Sequence, residues 1–157
     1  MGKKIAIIPA RGGSKGIPNK NLIDVCGKPL IYYTIKRAFD SNEFDAVVVS
    51  SDSDLILKDS LEINKNIIPH KRHSKLASDS SKSIDVIIDV LDNYPDFDFV
   101  SMLEPTSPLR SEKFIKSAHD NLINNPNAES LVGVSKVEDQ HPSFLCKKDE
   151  FDLISPL

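Results

Sequence analysis

The sequence predicts a three-layer α/β/α sandwich on a mostly parallel sheet, a single domain over residues 1–157. Three observations lead there. Short apolar runs alternate with amphipathic stretches, as βαβ units require. The helical stretches carry apolar residues three and four apart. Segments rich in Gly, Ser, Pro and Asn follow the ends of apolar runs, where open α/β sheets bind ligands.

The elements follow in order. Residues 5–8 form a first apolar run ending at Pro9, read as a strand. Residues 11–21 are rich in Gly, Ser, Lys, Pro and Asn and read as loop. Pro29 opens a helical pattern carrying Leu30, Ile31, Tyr33, Thr34, Ile35 and Ala38, with proline suited to a first helical turn. Residues 46–49 are a second strand, and residues 52–64 a second helix bearing Leu55, Ile56 and Leu61. Residues 66–69 are a short third strand. Residues 83–91 are helical, with Ile84, Ile87, Ile88 and Leu91 at i, i+3, i+4 and i+7. A fourth strand (97–103), a helix (112–124, marked by Phe114, Ile115, Ala118 and Leu122) and a fifth strand (131–134) complete the pattern. No element is expected over residues 138–157, and the apolar stop at Leu157 suggests a missing C-terminal continuation.

Bulk properties narrow the function classes. Hydrophobic residues make up 39% and charged residues 27% of the chain, which is ordinary for a globular protein. A net charge of -3 with no long block of one sign argues against a nucleic-acid surface. No stretch approaches the length of a membrane span, and the N-terminus lacks a signal-peptide apolar core. Cys26 and Cys146 are too distant in sequence for a CxxC ligand pair. A reducing, cytoplasmic setting is therefore expected.

The chemistry concentrates in residues 10–21, Ala-Arg-Gly-Gly-Ser-Lys-Gly-Ile-Pro-Asn-Lys-Asn. Gly12, Gly13 and Gly16 let backbone N–H groups approach phosphate oxygens. Arg11, Lys15 and Lys20 add three positive charges within ten residues. Neither GxxxxGK followed by Ser or Thr nor GxGxxG is present. The residues alone fit a triphosphate cradle or a solvated basic turn.

Arg11 to Gly16, followed by Pro18, Lys20 and Asn21, resembles the signature loop of the acylneuraminate cytidylyltransferases, the CMP-sialic acid synthetases. Gly27-Lys28-Pro29-Leu30-Ile31 resembles the segment that follows in sugar nucleotidyltransferases generally. The resemblance implies a Rossmann-like fold of the nucleotide-diphospho-sugar transferase kind. It implies that Arg11, Lys15 and Lys20 act on the triphosphate of CTP, with Gly12, Gly13, Ser14 and Asn21 lining the same site.

Two further stretches match. Residues 72–83, containing Leu76-Ala77-Ser78-Asp79, resemble the family segment that contacts cytosine and ribose, making Arg72 and Ser83 candidates. An Arg fork suits a pyrimidine carbonyl and a hydroxyl suits a ribose, while Ser83 also fits a helix N-terminus. His70 and His73 nearby are read as solvated. Residues 103–110, Leu-Glu-Pro-Thr-Ser-Pro-Leu-Arg, match at the end of the fourth strand, offering Glu104, Pro105, Thr106, Ser107 and Arg110 to substrate. Glu104 stands where the family usually has Gln. A carboxylate there repels a sugar carboxylate unless protonated or metal-bridged, so it marks either a variant acyl sugar or a neutral change. Arg110 fits an anion site or an ion pair with a helix acid. Asp52, in Ser50-Ser51-Asp52, is expected to be a helix N-cap rather than a metal ligand.

The resemblance implies attack by the anomeric hydroxyl of a nonulosonic acid on the α-phosphorus of CTP, with pyrophosphate leaving and Mg²⁺ sharing the phosphate charge. A homodimer is implied too. No metal ligand can be placed: the family's Asp-x-Asp pair has no counterpart, since Asp149 and Asp152 lack the spacing. Weak CTP binding and poor turnover by these 157 residues alone are expected. Two other readings stay open: a non-catalytic or truncated nucleotide-binding module, and a cytidylyltransferase for a legionaminic, pseudaminic or Kdo-type acid.

Overall fold

A computed structural model describes residues 2–13, 16–78, 81–134, 146–150 and 154–156. Strand β1 (Lys4–Pro9) is the spine. A short hairpin follows, β2 (Asp24–Val25) with β3 (Lys28–Pro29). Its turn residues Cys26 and Gly27 both take positive φ, 53° and 81°, the twist that tight hairpins favour. Then come α1 (Leu30–Asp40), β4 (Ala46–Ser51), α2 (Asp54–Ile63), β5 (Ile68–Lys71), α3 (Ser83–Asn93), β6 (Phe99–Met102) and α4 (Glu112–Ile123).

Strands β5, β4, β1 and β6 lie side by side in that order, all parallel. The chain steps outward from β1 to β4 and β5, then returns past β1 to β6. The order therefore reverses between β1 and β6, the switch point where such sheets leave a crevice at their carboxyl ends.

Alternation along the strands builds two cores. Ala6, Ile8, Val47 and Val49 face Ile31, Ile35 and Ala38 of α1, Ile56 and Leu57 of α2, and Ile115 of α4. Ile5, Ile7 and Val48 face the opposite side, against Val90, Ile87 and Leu91 of α3. The three-layer parallel sandwich is thus present, one side covered by three helices and the other by one.

Several expectations need correction. Residues 131–134 form no strand. All four are exposed, and β6 pairs only with β1 in the sheet; apolar residues without a backbone partner do not make a strand. Residues 146–156 contain a small antiparallel ribbon, β7 (Cys146–Lys148) with β8 (Ile154–Pro156), where no element was expected. On α3, Val86 and Val90 are buried while Ile84 and Ile88 are about half exposed, because the sheet beneath meets the helix one residue around from the expected stripe. On α4, Phe114 is exposed and His119 takes its place inside. Pro29 is the N-cap of α1, not its first turn.

His119 is held by chemistry as well as by packing. Its Nε2 lies 2.8 Å from Ser101 Oγ and its Nδ1 3.3 Å from Glu43 Oε2. The same carboxylate oxygen takes Lys4 Nζ at 2.7 Å. Lys4 and, more weakly, His119 draw the Glu43 pKa below the glutamate norm, against the upward pull of desolvation.

Candidate functional site

A cavity of about 280 Å³ opens at the carboxyl ends of the strands. Its walls come from three crossings of the chain. Pro9, Arg11, Lys20 and Asn21 follow β1; Arg72, Leu76, Ser78 and Ser81 follow β5, with Ser83 and Val86 on α3; Glu104, Pro105 and Thr106 follow β6. Residues as much as 97 positions apart, Pro9 and Thr106, thus share one crevice, because parallel strands bring their ends together.

The first wall is fixed at both ends. The Ala10 amide donates to the Ser50 carbonyl at 2.9 Å, continuing the sheet. The Gly12 amide donates to Asp52 Oδ1 at 2.9 Å. A Cβ on Gly12 would stand 3.0 Å from Ser53 Cβ, whereas one on Gly13 or Gly16 meets nothing within 4 Å. Gly12 is thus a packing requirement. Further along, buried Asn21 donates from Nδ2 to the Arg11 carbonyl at 3.0 Å. The loop is drawn closed, so Arg11 and Lys20 face one space. Ser14 and Lys15 lie outside the described residues, as does Asp79.

Asp52 is not the cap of α2. Ser53 is, its hydroxyl accepting from the Ile56 amide. Asp52 is one residue too early for that role, which frees its carboxylate for Gly12.

Arg72 is the most enclosed cation of the site, 5% exposed. Its amide donates to the Ser51 carbonyl at 3.1 Å, carrying the β4–β5 ladder one residue beyond the strand. Burial pulls its pKa down; Asp52 and Asp89 oppose that shift and Arg11 adds to it. Its Nε has no hydrogen-bond partner among the described residues. A buried guanidinium edge without a partner is costly in an empty site and suits an acceptor-rich ligand. Ser83 opens α3 as its first residue, behind a Lys82 N-cap that makes no side-chain bond.

The third wall curls on itself. The Leu103 amide donates to the Ile7 carbonyl at 2.9 Å, and the Ser107 amide reaches back to the Glu104 carbonyl at 3.3 Å. Thr106 Oγ1 donates to Glu104 Oε2 at 3.4 Å. Arg110 Nη2 stands 3.5 Å from the Glu104 carbonyl, a long contact; its Nη1 is buried without a hydrogen-bond partner among the described residues, and burial lowers the Arg110 pKa. The helix acid Glu112 pairs with Arg37 at 3.0 Å. Neither Ser107 nor Arg110 reaches the cavity lining.

The structure therefore brings together Arg11, Lys20, Asn21, Arg72, Ser83, Glu104, Pro105 and Thr106 around one space. Pro9, Leu76, Ser78, Ser81 and Val86 line it too and were not named as site residues. Leu76, Ser78 and Ser81 lie inside the stretch 72–83 that the resemblance pointed to, whereas Pro9 and Val86 are apolar residues of a strand end and a helix that no motif marks. His70 is a correction. It is 9% exposed rather than solvated, since it sits on a paired strand. His73 is exposed, and its Nδ1 accepts the Lys75 amide at 3.1 Å.

The fit of a divalent cation was tested on the donor set. No three His, Cys, Asp or Glu side chains gather as a metal cage among the described residues. Asp52 Oδ1 is already taken by Gly12, leaving Glu104 as the carboxylate of the cavity lining. The described residues supply no cage for Mg²⁺ here. Among the described residues no helix is long and apolar enough to cross a membrane.

Known proteins bear directly on this site. The chain is 39% identical to an N-acylneuraminate cytidylyltransferase of Streptococcus agalactiae, over 94% of this chain and 36% of the relative. It is 41% identical to a pseudaminic acid cytidylyltransferase of Campylobacter jejuni, over 78% of this chain and 54% of the relative. A solved structure of CMP:2-keto-3-deoxy-manno-octonic acid synthetase complexed with CTP superposes with a TM-score of 0.67 at 22% identity, over 79% of this chain and 48% of that one. That likeness speaks for the fold. The chain spans between about a third and just over half the length of these curated relatives. The cytidylyltransferase family matches residues 5–147. With its parallel sheet and the loop from Arg11 to Asn21 at the switch point, the chain belongs to the cytidylyltransferase family.

Proposed function

We propose that this cavity holds CTP and that the chain forms the nucleotide-binding part of a cytidylyltransferase for a sialic-acid-type nonulosonic acid. One observation carries the reading: Arg11, Lys20 and Arg72 converge on a single crevice at the switch point of a parallel sheet. Three cations around about 280 Å³ suit a polyanion with a polar body. Arg11 and Lys20, with Lys15, take the triphosphate. Arg72 and Ser83 take the nucleoside, beside Val86 and Leu76. Glu104, Pro105 and Thr106 turn toward the sugar.

In the reaction, the anomeric hydroxyl oxygen of the sugar forms a bond to the α-phosphorus of CTP and releases its proton to solvent. The bond from that phosphorus to the bridging oxygen of the β-phosphate breaks, and pyrophosphate leaves with the electron pair. The protein's share is positioning and neutralisation of charge on the departing oxygens. Mg²⁺ belongs to this reading as a companion of the triphosphate, held mainly by phosphate oxygens and water. Because Glu104 is acceptor-only at neutral pH, it favours a sugar that presents hydroxyl or amide donors. This supports either a neuraminate or a related acid such as a pseudaminic type.

Cytoplasmic placement is part of the proposal, supported by two exposed free cysteines. A homodimer completes the proposal, supported by exposed Ile84, Ile88, Val100 and Met102.

Calorimetric titration with CTP tests the core of it. Arg11→Ala with Lys20→Ala removes two charge-assisted contacts and weakens binding about 100-fold. Unchanged affinity removes the reading. Pyrophosphate release with CTP, Mg²⁺ and each candidate sugar acid then separates enzyme from module.

A further inference from the structure

Behind the cavity lies a second polar layer. Side chains at positions 68, 70 and 72 share one side of the chain as it leaves β5, and Ile68 joins the core beneath α3. His70 and Arg72 thus face α3 as well. On that helix Ser83, Val86 and Asp89 recur every three residues along one stripe. Ser83 and Val86 line the cavity with Arg72, whereas His70 and Asp89 stand outside its lining.

The groups of this layer are specified. His70 Nδ1 lies 3.1 Å from Ser50 Oγ, which is fully buried at the end of β4. His70 Nε2 lies 3.5 Å from Asp89 Oδ2. With the proton on Nε2 facing the carboxylate, Nδ1 accepts the Ser50 hydroxyl. The Nε2 contact is too long for a full hydrogen bond, and Asp89 Oδ2 is buried without a hydrogen-bond partner among the described residues. Arg72 Nε is in the same condition. Asp52 and, more weakly, Asp89 support the charged form of Arg72, while Arg11 opposes it.

We infer that Asp89, beside the His70–Ser50 pair, is a positioning residue that, together with Asp52, balances the Arg72 guanidinium and draws it toward α3 for the bound nucleotide. The inference rests on the CTP reading above. Arg11 and Arg72 share the cavity and repel. Asp52 supplies one counter-charge from the turn after β4. Asp89 supplies a second from the helix side, 3.5 Å from the His70 ring that Ser50 holds. Neither Asp89 nor His70 touches the ligand.

Positioning has a signature that other roles lack. Asp89→Asn removes a negative charge near a tetra-anionic ligand, so a purely long-range effect tightens CTP binding. A positioning effect weakens it. A merely structural effect lowers the melting temperature and acts alike in any background.

The test is a double-mutant cycle on the whole chain, read by calorimetry with CTP to millimolar concentration, with melting temperature followed in parallel. Asp89→Asn weakens CTP about tenfold in the native background and less than about twofold beside Arg72→Gln. His70→Gln weakens it in the same direction and less. Tighter binding in Asp89→Asn, or equal losses in both backgrounds, overturns the inference. Should Arg72→Gln bind too weakly to measure, the Arg72 Nε–Hε resonance of the free protein decides. Assigned by its loss in that variant, it shifts or broadens in Asp89→Asn, and an unmoved signal overturns the inference. A native chain that does not bind CTP defeats the CTP reading, whereas additive losses in a chain that binds defeat only the role of Asp89.

Discussion

Asp52 and Gly12 join two strand ends across the mouth of the sheet, the Gly12 amide donating to Asp52 Oδ1 at 2.9 Å. The bond ties the loop after β1 to the turn after β4. A charge-assisted bond of this kind contributes about 1.5–3 kcal/mol. Asp52→Ala is therefore expected to lower the urea midpoint by a stability loss of about 1.5 kcal/mol and to weaken CTP about tenfold. Unaltered CTP affinity in a stably folded Asp52→Ala chain breaks the link from this bond to the ligand.

Two glycines one residue apart should behave differently. A methyl on Gly12 meets Ser53 at 3.0 Å, and a methyl on Gly13 meets nothing within 4 Å. Gly12→Ala should destabilise by about 1–2 kcal/mol, while Gly13→Ala stays within about 0.5 kcal/mol of native. Chemical denaturation of both variants checks the contrast, and equal stabilities would refute it.

Arg72 and Arg110 were both candidates for ligand contact, and the structure separates them. Arg72 faces the cavity, whereas Arg110 turns to the Glu104 carbonyl. Arg72→Ala should weaken CTP at least about tenfold. Arg110→Ala should weaken it less than about threefold while lowering stability by about 1 kcal/mol. A larger affinity loss at Arg110 would contradict this division.

Glu43 adds to the acid sensitivity of the fold. Its pKa in the folded chain lies below the ordinary 4.5. Between the lowered value and 4.5 the unfolded chain binds more protons, so stability falls as pH drops through that window. Above it the contribution is complete. Glu43→Gln should cost about 3 kcal/mol at pH 7, leaving Lys4 buried without its carboxylate, and should flatten the fall in melting temperature below pH 4.5. A variant with the native acid profile assigns that fall to other groups.

Much of this was legible beforehand, for reasons that particular residues show. Ile5 to Ile8, Val47 to Val49 and the pattern from Leu30 to Ala38 read correctly because their burial is set by continuous runs or a plain 3.6 period. The loop from Arg11 to Asn21 announced itself through composition. Ile84 and Ile88 misled because α3 is apolar around much of its circumference; periodicity cannot choose a face when several are apolar. Leu131 to Val134 misled because a strand needs a neighbour, and pairing is not a local property. His70 and Asp52 were misjudged for one reason. Their roles depend on Asp89 and Gly12, residues 19 and 40 positions away, and no spacing rule reaches that far.

The sheet is bound unequally along its width. Among the described residues, strand β1 has a parallel partner on either flank, while β6 has one and leaves Val100 and Met102 more than a third exposed. In heavy water, exchange of the backbone should sweep inward from β6, reaching Ala6 and Ile7 last. Tracer retained at these two positions reports rupture of the whole domain, whereas tracer lost from β6 reports only breathing at its rim.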